Sequence, residues 1–545
     1  MISFKNFIVE SSSHILRGEL GISKHLHDFL WHLTSPNPHG SDHEEGKDYY
    51  HGVVPLHEDI DNKEFLEFIF EGNVIGHPKL KSMGVPYAGT EGAYHPHNIV
   101  REGIKKEILS RQQHNKENEE RVKAGEKPKP YPSIRQRISD GFHAALNNNE
   151  DAKERKRKAK ESVEHFRQYM HEHGGHAKGN KLEFMGQNGK TASSSGDGRN
   201  TIGASLAPHT VGTSDPYGQV KCPGHHFDNC PNASSECKEN CLGLTAGGNR
   251  QYPEAALRAK VIRQRYLMEH PEHAARVMSH EISENEKWTS NHHTIHDKDG
   301  SIVGYQNKKS GKVKSEVKHM THDEVKQKLD NGELHKRNIE SGVRLNVTSD
   351  LKWHKFGGGA LMKKHPNTHF YDYTKNVSST KDDLPSNYSL ALSHTGDNHP
   401  ESNSHHVVDH LRNGGVVAMV HHRGKNSPTP KRVKVIGSKE GEDEWHVANG
   451  DNDDNIDHRH DAAADHHNKI ADEHEAAGNR VEAEKHRKIA QEYKTKKRGV
   501  VSGLELKGVT NDAAGNFANK VDKDGTIWIH DHPHKKYGQT LPMHK

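Results

Sequence analysis

The chain carries 78 Lys and Arg against 75 Asp and Glu over 545 residues, and only 30% of it is hydrophobic. One compact core fits that composition in a length that ordinarily makes roughly two to four domains, with several hundred residues left to solvated loop or helical appendage. No apolar run approaches the roughly 18 residues of a bilayer span, and no membrane partner is expected; the near balance of charge makes no demand for nucleic acid without excluding it. The 50 histidines read as solvated surface residues that gain charge at mildly acidic pH. The start carries no secretory h-region. The 4 cysteines are therefore expected as reduced cytosolic thiols, with disulfides their less favoured use, and Asn232-Ala-Ser234 as a chance match to a glycosylation acceptor.

In chain order, "MISFKNFIVE" is a short amphipathic start, followed by "SSSH". It resembles the leader of internal proteins in T4-like phages, removed by a prohead protease, which implies a cut after Ile8-Val9-Glu10 and a leader over 1–13. A frayed helix is the plain alternative. Residues 14–180 read as a mostly helical, irregular polar extension. "NKEFLEFIFEGNVIG" (62–76) is its one apolar stretch, with Phe65, Leu66, Phe68 and Ile69 at helical spacing. Three prolines break the chain at 124–133. The segment after Asn148 predicts a long charged helix ending at Gly174-Gly175. No catalytic constellation is visible in this half.

From residue 181 the pattern changes. Strands are predicted over 342–350, 368–376, 387–394, 414–422, 432–437 and 499–508, and a helix over 254–278. Helices between short β-branched strands predict an α/β fold with a parallel sheet. A barrel or partial barrel would gather the strand ends on one face. "ADHHNKIADEH" (464–474) recurs as "AEKHRKIAQEY" (483–493) across Gly478-Asn479, which predicts a helical hairpin over 461–498. It is read as an insertion, suited to docking, between an α/β domain over 181–460 and its C-terminal part over 499–545. His466, His467, His474 and His486 on it are candidate metal ligands.

All the cysteines sit in one loop, spaced Cys222-x7-Cys230-x6-Cys237-x3-Cys241. A zinc site wants four Cys or His ligands, commonly as two close pairs, and His225 or His226 could complete one. An iron–sulfur cluster accepts thiolates at less regular spacings. A loop this polar is no place for unliganded core thiols, so zinc and a cluster both stay open. The loop "NGDNDDNIDHRHD" offers Asp451, Asp453, Asp454, Asp457 and Asp461 with His458 and His460. Its spacing is no EF-hand, because the twelfth position is Ala462. A metal-dependent nuclease built on this loop is one candidate function.

"SLAP" (205–208), "CPNASSECKENCL" (230–242), "VRLNVTSDLKW" (343–353), "FYDYTK" (370–375), "NYSLALS" (387–393), "GGVVAMV" (414–420), "NGDNDD" (449–454) and "SGLELKG" (502–508) occur in this order. As a set, over 181–545 apart from the hairpin, they resemble an uncharacterised phage family, that of the mycobacteriophage gene-product-88 type. That family is distantly similar to radical S-adenosylmethionine (SAM) proteins. The resemblance implies a partial parallel barrel in which Cys230, Cys237 and Cys241 hold a [4Fe–4S] cluster whose open iron chelates SAM for reductive cleavage. It implies Asp350, with Ser349, at the strand end that receives the SAM amino group. Arg344 and Asn346, on one face of the same predicted strand, and Lys375 at the next strand end complete the candidate cofactor-binding set. Two features depart from the radical SAM pattern. The spacing is C-x6-C-x3-C with Asn240 before Cys241, and Cys222 offers a fourth thiolate that would close the cluster. The expected function is a phage-encoded iron–sulfur protein, radical-SAM-like if it is an enzyme, with no substrate indicated. A non-catalytic, virion-associated protein with a zinc- or cluster-stapled loop is the alternative. Capsid or prohead components are the expected partners, in the host cytoplasm or the virion interior.

Overall fold

Ser133 and Asp151 each start a helix, their side chains accepting hydrogen bonds from first-turn backbone amides. The computed structural model describes residues 113–130, 132–147, 150–173, 183–187, 198–207, 229–231, 233, 254–298, 301–316, 320–396, 402–421, 429–439, 442–450, 456–505 and 519–531. The leader, the apolar stretch at 62–76 and Cys222, Cys237 and Cys241 lie outside these residues. Helix α1 (Ile134–Leu146) buries Ile138, Phe142 and Leu146 at four-residue spacing. Helix α2 (Ala152–Glu172) buries Phe166, Tyr169 and Met170. These side chains belong to the same hydrophobic cluster as Trp353, Phe356 and Leu361 of the α/β layer. The side chains that residues 134–172 bury thus share one core with the α/β layer.

Strands β1 (Met185–Gly186) and β2 (Arg199–Ala204) follow. The helix predicted over 254–278 is two helices, α3 (Glu254–Glu269) and α4 (Pro271–Asn291). Pro271 lacks an amide hydrogen and its ring clashes with the preceding turn, so it ends one helix and occupies the first turn of the next. A small antiparallel sheet follows: β3 (His292–His296), β4 (Ile302–Asn307), β5 (Val313–Ser315) and, after helix α5 (His322–Asp330), β6 (His335–Asn338). Its order is β5-β4-β3-β6. Ile295, Val303, Val313, Val325 and Leu334 form its core.

The large sheet continues with β7 (Glu340–Arg344), helix α6 (Gly358–Lys364), β8 (Thr368–Thr374), β9 (Tyr388–Ser393), helix α7 (Ser404–Arg412), β10 (Val416–His421), β11 (Arg432–Val435) and β12 (Glu444–Asn449). Helices α8 (Arg459–Ala476) and α9 (Arg480–Lys494) precede β13 (Val500–Glu505) and β14 (Thr526–Ile529). Its ten strands are ordered β1-β2-β7-β8-β9-β10-β13-β12-β11-β14. The run β2-β7-β8-β9-β10-β13-β12 is parallel throughout. The protein is therefore mixed α/β, and among the described residues β1 and β14 end the sheet without closing a barrel. No helix among them is long and apolar enough to cross a membrane.

The helical pair α8–α9 is the crossover between the adjacent parallel strands β12 and β13, as parallel pairing demands. Ala463, Ala464, Ala490 and Tyr493 pack with Tyr371, Ala391, Val416 and Val500 of the sheet. The hairpin is built into the fold rather than hung from it. Alanine makes this close approach affordable, and the Tyr493 hydroxyl accepts the His446 amide at 2.9 Å.

Burial, with the neighbouring His466, pushes the His446 imidazole down to about 4. An unfolded histidine takes up its proton near 6.5, so this ring favours the unfolded chain progressively as pH falls from there toward 4. Between pH 7 and 5 the protein should lose roughly 1–2 kcal/mol more stability than His446→Gln, read from urea unfolding at both pH values. Equal losses in both proteins would contradict the depressed ring.

Candidate functional site at the C-terminal edge of the parallel strands

Parallel strands put all their C-terminal ends on one edge of the sheet, where the loops of α/β proteins gather functional groups. Here the loop after β7 meets the residues after β2 and the start of the cysteine loop. The Thr348 hydroxyl donates to the Leu206 carbonyl at 2.6 Å. The Cys230 thiol lies 3.7 Å from the Thr348 carbonyl oxygen. The Asp350 amide donates to the Asn229 carbonyl at 2.6 Å. Asn229 is fully buried, and its side-chain amide donates to the Ala207 carbonyl and to Gln264, both at 2.7 Å. Cys230 is thereby held beside Asp350 at the strand-end edge.

Two buried carboxyls sit under it. Asp350 accepts hydrogen bonds from the Thr374 hydroxyl and from the Lys375 amide. Burial nevertheless lifts its carboxyl above the usual range. Asp372 is fully buried and accepts from the Asn346 amide at 2.6 Å and the Tyr388 hydroxyl at 3.1 Å. Burial pushes it up to about 7, against those hydrogen bonds and the Arg344 charge. The Arg344 guanidinium lies 4.7 Å from the Tyr373 ring centroid.

The strand predicted over 342–350 ends at Arg344, so Arg344 and Asn346 do not share a strand face. The reason is Asn346 itself, whose side chain ties the chain into a loop. Its carbonyl oxygen accepts from the Ser349 hydroxyl at 2.8 Å, the Leu351 amide at 3.0 Å and the Trp353 indole at 3.1 Å. Its amide donates back to the Leu351 carbonyl at 2.9 Å. Asn346 and Ser349 thus shape the loop that presents Asp350. Sequence reasoning left Asn229, Thr348 and Tyr388 unremarked. Only the buried environment makes an ordinary Asn, Thr or Tyr part of a site, and no sequence pattern carries that.

Further along the same edge, the His394 Nε2 lies 2.8 Å from the Ser404 hydroxyl and its Nδ1 lies 3.2 Å from the Asn519 amide nitrogen. That nitrogen also donates to the Val420 carbonyl at 3.0 Å, which makes Nδ1 the acceptor and Nε2 the donor toward Ser404. A histidine that donates to serine does not activate it, so these residues are a clamp between β9, β10 and residue 519. In the acidic loop, 451–455 lie outside the described residues. His460 is held by the Gly414 carbonyl at 2.9 Å, and Arg459 by the Asn449 carbonyl at 3.1 Å. Among the described residues no three His, Cys, Asp or Glu side chains converge on one point. A cleft of about 1180 Å³ opens elsewhere, between the β1–β2 edge and the small sheet, with Glu281, Trp288 and Tyr305 in its wall.

Residues 316–492 match the gene product 88 family. No curated protein and no solved structure matches the chain. The gene product 88 segment holds Arg344, Asn346, Ser349, Asp350, Asp372 and Lys375, the C-terminal edge of β7 and β8. It also runs through α8 and most of α9. The crossover hairpin therefore falls inside it, where a resemblance apart from the hairpin was expected. The cysteine loop precedes it.

Proposed function

We propose that this is a phage iron–sulfur protein in which the cysteine loop lies over the strand-end carboxyls of a partial, radical-SAM-like parallel barrel. One observation carries the reading: the Cys230 thiol, first of the three closely spaced cysteines, lies beside the Thr348 carbonyl, and the adjoining Asn229 carbonyl takes the Asp350 amide. The sequential order from β2 to β10 supports it, since a singly wound parallel sheet collects its loops on one rim. The residues present fit such a cofactor. Cys230, with Cys237 and Cys241, would hold the cluster. Asp350 would accept the amino group of bound SAM, each of its oxygens keeping a second lone pair beside the Thr374 and Lys375 contacts. When bound, the pair would supply one-electron reduction of the sulfonium. This chain's own part is positional: Asn346 and Ser349 set the loop, and Asp372 and Arg344 fix its floor.

Anaerobic reconstitution with iron and sulfide tests the reading. Protein with about four irons and four acid-labile sulfides, falling to background in Cys230→Ala, is the expected result. Near-stoichiometric zinc without labile sulfide would favour the stapled, non-catalytic alternative and overturn the cluster. Production of 5′-deoxyadenosine from SAM by the dithionite-reduced protein, lost in Asp350→Asn with cluster retained, supports the enzyme. No cleavage by a cluster-loaded protein would count against it.

A further inference from the structure

The seam between α8 and α9 carries a row of imidazoles that the strand-end site does not use. His467 meets His486 across it, Nδ1 to Nδ1 at 2.9 Å. Their ring centroids are 5.2 Å apart and their planes 22° from parallel. Both nitrogens thus lie on the line between the ring centres, with their lone-pair directions aimed at each other. The contact is a hydrogen bond through one shared proton, and it leaves no position for a metal ion. The histidines of the hairpin, expected as candidate metal ligands, gather here for a different reason. Tyr493 flanks His467 at 5.5 Å between centroids, and His474 flanks His486 at 5.6 Å. His446 of β12 lies 6.2 Å from His467 and 4.4 Å from His466 by the same measure. His446, His467 and His486 are half-buried.

Two imidazoles that meet nitrogen to nitrogen have room for one proton between them and not for two. If both rings became imidazolium, two N–H bonds would point at each other and two like charges would touch. The closed seam can therefore take at most one of the pair's two charges, on the outer nitrogen of the donor ring. Burial pushes His467 down to about 3, with His446, His486, His466 and Arg498 adding repulsion. Burial also lowers His486, with His474, Lys485 and His466 repelling its charge and Glu482 opposing them. His466 feels Glu473 and Lys469 from its own helix. The other carboxylates near the seam are committed elsewhere: Asp472 and Glu475 to Arg487, Glu492 to Arg498, and Glu444 of β12 to Arg432 and Lys434. We infer that His446, His467 and His486 form an acid-opened latch, which holds the crossover hairpin against β12 at neutral pH and releases it below about pH 6. In an open hairpin these rings charge near 6.5. Closure is thus complete above that value and is lost as pH falls below it. The open form binds at least two more protons, on His446 and on the second ring of the pair. Each raises the opening constant about eightfold between pH 6 and 5, or about sixtyfold for the two.

Amide hydrogen exchange of the full-length protein at pH 6 and 5, corrected for the intrinsic pH dependence of exchange, tests the latch. In wild type, opening over 459–494 should rise about sixtyfold, while β8 (368–374) changes far less. The same rise in both segments would mean global acid unfolding and would overturn a local latch. So would a rise over 459–494 of less than about tenfold, which is no more than one proton supplies. Both readings come from wild type alone and stand even if a variant folds poorly. In the triple variant His446→Gln, His467→Gln, His486→Gln the opening over 459–494 should stay within about threefold across the same pH step. The control His335→Gln, on exposed β6, should keep the wild-type response. A sixtyfold rise that persists in the triple variant would place the pH sensor elsewhere and overturn the inference.

Discussion

Replacing Asp372 by Leu should destabilise the protein by about 4 kcal/mol, because it strands three polar groups around a fully buried position. The Asn346 amide and the Tyr388 hydroxyl lose their acceptor, and Arg344 loses an opposing charge. Asp372→Asn keeps the shape and one acceptor and should cost far less. The two variants together separate the need for an acceptor from the need for a charge. The sign of the pH dependence follows from the same burial. Asp372 titrates near 7 in the folded protein against about 4 in an unfolded chain. The folded state thus holds its proton longer, and stability is lost as pH rises through that window. From pH 5 to 8 the wild type should lose on the order of 2–3 kcal/mol relative to Asp372→Asn. Parallel stability curves for the two, from urea titrations, would show that Asp372 is ionised throughout.

Gly414→Ala should be the most damaging small substitution in the sheet, at about 3 kcal/mol. Gly414 follows α7 with φ +79, and a Cβ there would overlap the Lys496 carbonyl oxygen. The Gly414 carbonyl also takes the His460 ring, and the Gly499 amide reaches back to Leu411 at 2.9 Å. The end of α7, the start of α8 and the entry to β13 therefore meet at a point that has no room for a methyl group. Gly478, in the hairpin turn at φ +78, has nothing within 4 Å of an added Cβ. Gly478→Ala should cost only about 1 kcal/mol of left-handed strain. Urea midpoints of the two variants isolate the contact from the dihedral angle. Equal costs would mean that the Lys496 segment yields freely.

The parallel strands β8, β9, β10 and β13 were legible because their β-branched and aromatic runs are bounded by turn residues, α2 because its charged run stops at Gly174-Gly175, and α8 and α9 because one pattern repeats on either side of Gly478-Asn479. Cys230 was legible as a candidate because clustered thiols are rare enough to signal chemistry, and Asp350 only through the family resemblance, since the strand expected to end on it stops at Arg344. The small sheet was not. "HHTIH" and "HKRN" carry no apolar alternation, and their pairing is decided by Ile295, Val325 and Leu334 closing a separate core. Neither could periodicity tell that α1 and α2 pack into the main core, since an amphipathic stripe states only that some partner exists.

What the sequence determined by itself is the α/β class, the parallel strands and the kind of residues that meet at their ends, all set by local pattern and residue chemistry. Tertiary structure alone decided that α8 and α9 are a crossover, because that depends on β12 and β13 becoming neighbours. It also decided that Asn346 turns the loop and that Asp372 loses its water. Burial is a property of the assembled chain, and it is burial that turns an ordinary aspartate into a carboxyl that keeps its proton near neutral pH.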